Sequence, residues 1–227
     1  MLGKMIVLKP VVWTSSGYNF PSGIDKKGSD YVATHGFGHE EWNGDAKRLW
    51  NGQRVFHTER KGRMEEHGRH GDLGIIMTAY TENGPHALGV ATSVQLNTDE
   101  ERKAIARSLK TAGHAKAMWE LPSIRKRFQT FAAFNKFWKN KEHEWISWRC
   151  PPEQYAWFSN PVALDPARLF PPAVQGGKVP QIVKMFSSYM AVRPDQAIAV
   201  VESSVGEGSP IIDWLRTGEF RDRKSVV

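Results

Sequence analysis

The stretch that decides the fold class runs from Gly71 to Leu96 and reads GDLGIIMTAYTENGPHALGVATSVQL. It holds two apolar, partly β-branched runs, GDLGIIMTAY and HALGVATSVQL, which are separated by TENGP. An Asn-Gly pair between two such runs favours the tight turn of a β-hairpin. The stretch therefore predicts two neighbouring strands joined by a short turn.

Further strands are predicted on both sides of this hairpin. Met5 to Trp13 is apolar and β-branched and ends at the turn-forming TSSGYNFPSG, and Tyr31 to His35 predicts a second short strand. Glu144 to Cys150 (EWISWRC) returns to strand alternation, and Tyr155 to Phe158 continues the sheet. Because the strands are short and turn-rich and interleave with helices, the predicted fold class is α+β, with a small curved or barrel-like mixed sheet flanked by helices.

The helical part is concentrated in residues 98–141, which we predict to be a helical insertion. Thr98 and Glu101 form a capping box, and Pro122 begins a second helix at its first turn. Two more helices are predicted, one from Pro194 and one in PIIDWLRTG. The apolar stripe of the helix that Pro122 begins, which we expect to face the core, consists of Ile124, Phe128, Phe131, Phe134 and Trp138.

We predict a single domain over residues 1–218, followed by a basic tail or linker at 219–227. The segment from Ala46 to His70 is polar and rich in Arg, Gly and His, with no clear period, and it predicts a mobile loop.

Composition excludes several classes of protein. Of 227 residues, 40% are hydrophobic and 24% are charged, which is typical of globular proteins and excludes collagen-like and disordered chains. No apolar run approaches the roughly 20 residues that span a bilayer, and the first residues lack the cleavage site of a signal peptide. Cys150 is the one cysteine, so an intramolecular disulfide and a multi-cysteine zinc site are excluded, and we expect a reducing cytoplasm.

The charge balance and the tryptophan content point to a polyanionic partner. The formal net charge is +7, and the region from Glu100 to Trp145 holds eleven basic residues against five acidic ones. Clustered basic residues are typical of nucleic-acid-binding proteins. Nine tryptophans are more than a core of this size ordinarily needs, and aromatic faces next to cations are what unstacked bases bind.

The densest group of reactive side chains is HGFGHEEWNGD, from His35 to Asp45. A metal site would combine His35 and His39 with His67 and His70. The glycines between the first two argue against a helix that would bring them to one face, and a second ligand pattern is missing.

Two other readings of the same segment are open. In an acid–base reading, His39 works with Glu40 or Glu41 in hydrolysis, one as the base and the other as its orienter. In a recognition reading, Phe37 and Trp42 offer stacking faces, while the His, Glu and Asn side chains of the segment supply donors and acceptors for the edge of a base.

The order of motifs resembles the PUA-like superfamily, in particular its EVE and YTH branches. A first strand is followed by the loop GHEEWNG, the strands HGDLGIIMTAY and HALGVATSV, the strand EWISWRC, the connector NPVALDPARLF and a helix of the type RPDQAIAVVE. The similarity spans Met5 to about Glu202. It implies a small barrel-like module that binds a modified base in an aromatic cage.

The resemblance also implies roles for individual residues. Trp42 would be the first cage aromatic and either Trp145 or Trp148 the second. The loop from Phe37 to Glu40 departs from the YTH pattern, and apart from the resemblance we expect His39, Glu40 and Asn43 to read the polar edge of the base. The residues predicted to bind the base are Trp42, Phe37, His39, Glu40, Asn43, Trp145, Trp148 and Trp13. The residues predicted to bind phosphates are Lys47, Arg48, Arg54, Arg60, Lys61, Arg125, Lys126, Arg127, Lys136 and Lys139.

The function that follows is a nucleic-acid-binding module that flips a methylated or hydroxymethylated base into an aromatic pocket. DNA is expected before RNA, and the module would be the specificity domain of a modification-dependent restriction or defence protein, with a fused or associated nuclease domain as partner. No catalytic residue, metal, cofactor or membrane partner is predicted. The alternatives are a nuclease or DNA glycosylase that uses His39 with Glu40 or Glu41, and an RNA-binding reader.

Overall fold

The computed structural model describes residues 3–141, 143, 146–171 and 177–218, and within them the predicted α+β class is confirmed. The strands of the described chain are β1 (Met5–Pro10), β2 (Leu49–Trp50), β3 (Gln53–Phe56), β4 (Leu73–Thr81), β5 (Gly84–Leu96), β6 (Trp148–Cys150), β7 (Tyr155–Ala163) and β8 (Met190–Val192). The helices are α1 (Tyr31–His35), α2 (Arg63–His70), α3 (Asp99–Ser108), α4 (His114–Met118), α5 (Pro122–Phe128), α6 (Phe131–Lys141), α7 (Pro166–Leu169), α8 (Pro194–Val205) and α9 (Pro210–Arg216).

The chain divides into two compact units, each built from separate stretches of sequence. The first unit is formed by Met1–Trp13, Glu59–Leu96 and Cys150–Val227, and the second by Thr14–Thr58 and Asn97–Arg149. This division differs from the single domain expected over residues 1–218. The predicted tail at 219–227 lies outside the described residues.

A mixed sheet forms the centre of the first unit. Its strand order is β7-β5-β4-β1-β8, and within the described residues this sheet is open. Strand β1 runs parallel to β4, with Met5 opposite Leu73, and antiparallel to β8. Strands β4 and β5 form the predicted hairpin, in which Thr81 pairs with Gly84, so its turn is Glu82–Asn83.

An apolar core lies between one face of this sheet and helices α8 and α9. Strand residues such as Leu8, Ile76 and Val90 are almost fully buried there against Val201 and Ile212 of the two helices. Burial of this kind contributes about 1.5–3 kcal/mol for each large aliphatic side chain. The apolar runs of the Gly71–Leu96 stretch therefore correspond to buried strands, and β4 is buried at every position from Leu73 to Ala79.

Four helices of the second unit lie within the predicted insertion at 98–141. Thr98 caps α3 as predicted: its hydroxyl accepts from the Glu101 backbone N–H at 3.2 Å, and the Glu101 carboxylate accepts from the Thr98 backbone N–H at 2.8 Å. The helix predicted from Pro122 is broken in two, because Gln129 has a φ of +60°, a left-handed conformation that ends α5. The stripe residues Phe134 and Trp138 are buried in the core of this unit, as expected.

Two secondary-structure predictions are wrong. Tyr31–His35 is a helix rather than a strand: the Asp30 carboxylate caps it by accepting from the Ala33 N–H at 2.9 Å, and Gly36 ends it in the left-handed region. The segment Ala46–His70 is not a structureless loop, since it contains the β2–β3 hairpin and the helix α2.

No helix in the described ranges is long and apolar enough to cross a lipid bilayer.

Candidate functional site

Trp42 lies in the core of the second unit, and its side chain is only 2% exposed. The His114 ring stacks on it at a centroid distance of 5.9 Å, the Trp138 ring lies 5.8 Å away, and the Arg48 guanidinium lies 5.2 Å from its centroid. The structure corrects the prediction that Trp42 is a cage aromatic, because side chains of the protein occupy the space in which a base would stack.

Two more predicted cage residues are also buried. Phe37 is fully buried and packs edge-on against Phe134 and Trp138. Trp148 is fully buried, and its indole N–H lies 3.0 Å from the Thr58 hydroxyl, which accepts its hydrogen bond. Neither ring can stack on a base in this structure, so both assignments are corrected. The alternative second cage residue, Trp145, lies outside the described residues.

The polar residues of the same segment have structural partners. The Asn43 side-chain amide donates to the His57 carbonyl at 2.7 Å, and its oxygen accepts from the His57 backbone N–H at 2.9 Å. The Glu41 carboxylate accepts from the Ser22 N–H at 2.9 Å and from the Gly38 N–H at 2.9 Å. Asn43 therefore has its amide committed to the backbone and does not read a base edge, which corrects that prediction.

Glu40 is 6% exposed, so the edge of a base cannot reach its carboxylate without displacing the surrounding chain. The structure therefore corrects its predicted role as well.

His39 is partly exposed and belongs to a cluster of aromatic rings. Its Nε2 lies 2.9 Å from the Tyr31 hydroxyl, and its ring centroid lies 5.5 Å from that of His57. Burial, together with the neighbouring rings of His57 and His35, lowers the pKa of His39 well below its usual value of 6.5. The ring is thus neutral at neutral pH.

A small cavity lies beside this cluster. Its volume is about 10 Å³, which is room for about one water molecule and far too little for a base. Its lining consists of His39, Trp42, Asn43, Arg48, Val55, Phe56, His57 and Ile146. In the described part of the chain, no group of three or more His, Cys, Asp or Glu side chains is arranged to hold a metal ion.

Two of the predicted phosphate-binding residues are buried. Arg54 is 4% exposed and donates to the carbonyls of Asn43 and Asp45. Arg48 is 6% exposed, and burial lowers its pKa to about 9. The structure corrects both predictions, since these guanidinium groups serve the interior of the second unit.

Three consecutive basic residues of α5 carry ion pairs. Lys126 and Arg127 both lie 3.1 Å from Asp25, and Arg125 lies 2.8 Å from Glu120. Part of their positive charge is therefore already balanced on the surface.

Other predicted phosphate-binding residues remain available for binding. Arg60 is half-buried, whereas four lysines are exposed and form no ion pair with a carboxylate of the described chain. These four lysines are Lys47, Lys61, Lys136 and Lys139. Lys136 and Lys139 lie three residues apart on α6 and so share one helix face.

Among the predicted base-binding aromatics that the structure describes, Trp13 alone has a substantially exposed ring, at 40%. Trp13 follows β1. After β1 ends, the chain continues alongside β4, since the Val11 N–H donates to the Thr78 carbonyl at 2.8 Å. This path brings Trp13 towards the turn of the β4–β5 hairpin.

Trp13 lines a groove of about 500 Å³ in the first unit. Its other lining residues are Thr81, Glu82, Asn83, His86 and Pro161. Ligand-binding sites commonly measure about 300–1,000 Å³ and combine apolar or aromatic walls with a few polar groups. This Trp13 groove fits that description, and the cavity beside Trp42 does not.

Hydrogen bonds within the turn hold its backbone and fix the orientation of the His86 ring. Nδ1 of His86 lies 3.0 Å from the Gly84 carbonyl, and because a carbonyl only accepts, Nδ1 carries the proton. The Asn83 backbone N–H donates to the Thr81 hydroxyl at 3.0 Å. Gly84 has a φ of +103°, which residues with side chains rarely adopt, so the turn depends on this glycine.

The sequence did not single out the other residues of the groove. Thr81, Glu82 and Asn83 belong to the turn signal TENGP, His86 begins a predicted strand, and Pro161 belongs to the connector NPVALDPARLF. The parallel pairing of β1 with β4 brings Trp13 to this turn, and that pairing leaves no mark in a single sequence. The available signal was the polar and charged character of the turn itself.

Comparison with known proteins gave no match to any protein-family model, curated protein or solved structure. The groove's own residues are therefore the basis of the function proposed for the chain.

Proposed function

We propose that the chain is a nucleic-acid-binding module that stacks one base on Trp13 in the groove formed with the β4–β5 turn. The observation that carries the proposal is the exposed indole of Trp13 in a groove of about 500 Å³ with carboxylate, amide and imidazole groups around it. An indole face stacks on any base, and the polar groups can bind its edge.

The charge of the chain supports a polyanionic ligand. The formal net charge is +7, and the exposed lysines Lys47, Lys61, Lys136 and Lys139 carry positive charge that the described chain does not pair with carboxylates. Lysine side chains near phosphates release counterions and so contribute affinity that does not depend on sequence. Of these lysines, Lys61 belongs to the first unit, as the groove does, and phosphate binding is proposed separately from base binding.

Energetics favour a base that is already unstacked or easily extruded. Stacking on an aromatic side chain contributes about 1–3 kcal/mol per base, whereas extruding a base from a duplex costs a few kcal/mol. A methyl group buried against Trp13 would add about 0.8 kcal/mol. These magnitudes are consistent with our proposal that the groove takes up a flipped base and that a methylated or hydroxymethylated base is favoured.

The resemblance to the PUA-like superfamily supports the same class of function. We propose that the first unit is the PUA-like part of the chain, and that the module provides specificity to a defence protein with an associated nuclease. In this proposal DNA is the expected ligand, and Trp13 replaces Trp42 as the aromatic residue on which the base stacks.

The test is the substitution Trp13→Ala, with binding measured by fluorescence anisotropy on labelled single strands and duplexes of DNA and RNA that carry plain or methylated bases. We expect affinity to fall about tenfold or more, as loss of one stacking contact implies. Phe131→Ala is the matched control, because the Phe131 side chain is also 40% exposed but lies on α6 of the second unit. It should leave affinity unchanged.

Equal binding by the wild-type chain and Trp13→Ala would contradict the proposal. Binding to RNA in preference to DNA would retain the Trp13 site and replace the proposed ligand with RNA.

A further inference from the structure

We propose that the Trp13 groove selects guanine over thymine or uracil, and that Glu82 is the residue that makes this selection. The inference rests on the function proposed above and names the base that the groove prefers. It follows from the balance of hydrogen-bond donors and acceptors around the Trp13 ring.

The groove is rich in acceptors. An ionised Glu82 carboxylate is acceptor-only and offers two oxygens. Nδ1 of His86 carries the proton that points to Gly84, so in the tautomer with a single ring proton Nε2 is an acceptor too, and no hydrogen bond from Nε2 is formed within the described part of the chain. The Asn83 side chain adds one acceptor, and the side-chain donors among the remaining lining residues are the Asn83 amide group and the Trp13 indole N–H.

Thr81 adds little donor capacity to this set. Its hydroxyl accepts from the Asn83 backbone N–H at 3.0 Å and lies 3.3 Å from the Gly84 carbonyl, to which only the hydroxyl can donate. The one hydroxyl proton is therefore used within the turn. A ligand that enters the groove meets more acceptors than donors.

Guanine is the base whose edge matches this inventory. Its ring N–H and its exocyclic amino group are adjacent donors, which a carboxylate such as Glu82 can accept together, as in other bidentate pairs. Its carbonyl oxygen can accept from the Asn83 amide. Thymine and uracil present a single N–H between two carbonyl oxygens. A Glu82 carboxylate that accepts from this N–H would be repelled by the partial negative charges of the two carbonyl oxygens beside it.

A cationic ligand would also suit an aromatic ring beside a carboxylate. The chain itself argues against that partner, because its formal net charge of +7 repels a basic peptide and attracts a polyanion. The observations therefore favour a base of a nucleic acid as the occupant of the groove.

The experiment uses short single strands of DNA in which one central position carries guanine, adenine, cytosine or thymine and the flanking nucleotides are abasic. Only the central base can then stack on Trp13, and a fully abasic strand measures phosphate binding alone. We expect guanine to bind about tenfold more tightly than thymine, since a good bidentate contact discriminates by that order.

The substitution Glu82→Gln tests the residue. A glutamine side chain presents one donor and one acceptor, a pattern that pairs with adenine. We expect the preference to move from guanine to adenine. Glu153→Gln is the control, because Glu153 is also an exposed glutamate of the first unit and does not line the groove.

The outcomes separate this inference from the proposed function. If all four bases bind better than the abasic strand but guanine shows no advantage, or if Glu82→Gln leaves the preference unchanged, the selection by Glu82 is wrong and the base-binding function stands. If no base binds better than the abasic strand, the base-binding function is wrong as well.

Discussion

An indole side chain can hold a core together or receive a ligand, and residue type alone does not decide between these uses. Trp42 has the sequence context of a binding loop, yet Arg48 and His114 pack on its ring. His114 is distant in the sequence, so a single sequence could not show that contact. Trp13 has a plain strand context, and its exposure became visible only with the fold.

Two partly buried histidines in the second unit predict a specific loss of stability in mild acid. The pKa of His39 lies well below 6.5, mainly because of burial, and burial lowers the pKa of His114 from 6.5 to about 4. Below about pH 6.5 the unfolded chain binds protons that the folded chain does not. The free energy of unfolding should therefore fall as the pH decreases from about 6.5 towards 4.

Denaturant unfolding between about pH 7 and pH 5 measures this effect. The substitution His114→Phe keeps an aromatic ring against Trp42 and removes one titrating group, so stability should fall less steeply with decreasing pH. His70→Phe changes an exposed histidine at the end of α2 and should retain the wild-type slope. Equal slopes for His114→Phe and the wild-type chain would show that His114 does not contribute.

At the scale of elements, the predictions that succeeded rest on long or chemically specific patterns. The β4–β5 hairpin has two long apolar runs, and α3 has a capping box, so each has several independent signals. The short segment Tyr31–His35 has aromatic and β-branched residues typical of a strand, but its ends decide its structure. The Asp30 cap and the left-handed Gly36 make it a helix, and caps outweigh propensity over so few residues.

The capping box of α3 predicts the effect of one substitution. Thr98→Ala removes the hydroxyl that accepts from the Glu101 N–H and leaves a helix-end donor without its partner. We expect the free energy of unfolding to fall by about 1 kcal/mol.

Thr98→Ser keeps the hydroxyl and should restore most of the stability in the same denaturant titration. Equal losses in the two variants would show that the hydroxyl is not the source of the effect.

At the scale of the whole molecule, the positive charge is a property that composition predicts and that the fold distributes. Arg48 and Arg54 contribute to the net charge and yet are buried, whereas Lys136 and Lys139 extend from one exposed face of α6. These charges can be counted in the sequence, but the sequence does not distinguish the buried guanidinium groups from the exposed lysines.

We expect the double substitution Lys136→Gln and Lys139→Gln to weaken the dependence of DNA affinity on salt. Each phosphate contact on duplex DNA contributes about 0.9 to the slope of log affinity against log salt concentration, so the slope should decrease by up to twice that amount. Arg125→Gln is the control, since Glu120 already pairs with that residue. A slope equal to that of the wild-type chain would place the phosphate contacts elsewhere.

The pairing of β1 with β8 has a consequence for synthesis of the protein in the cell. Ile6 lies opposite Val192, so β1 acquires this neighbour only after the residues between the two strands have been translated. Both segments of the second unit, Thr14–Thr58 and Asn97–Arg149, lie between these strands in the sequence and are therefore synthesised completely before β8. Contacts between such distant residues slow folding, and a nascent chain would expose one edge of β1 until β8 has emerged.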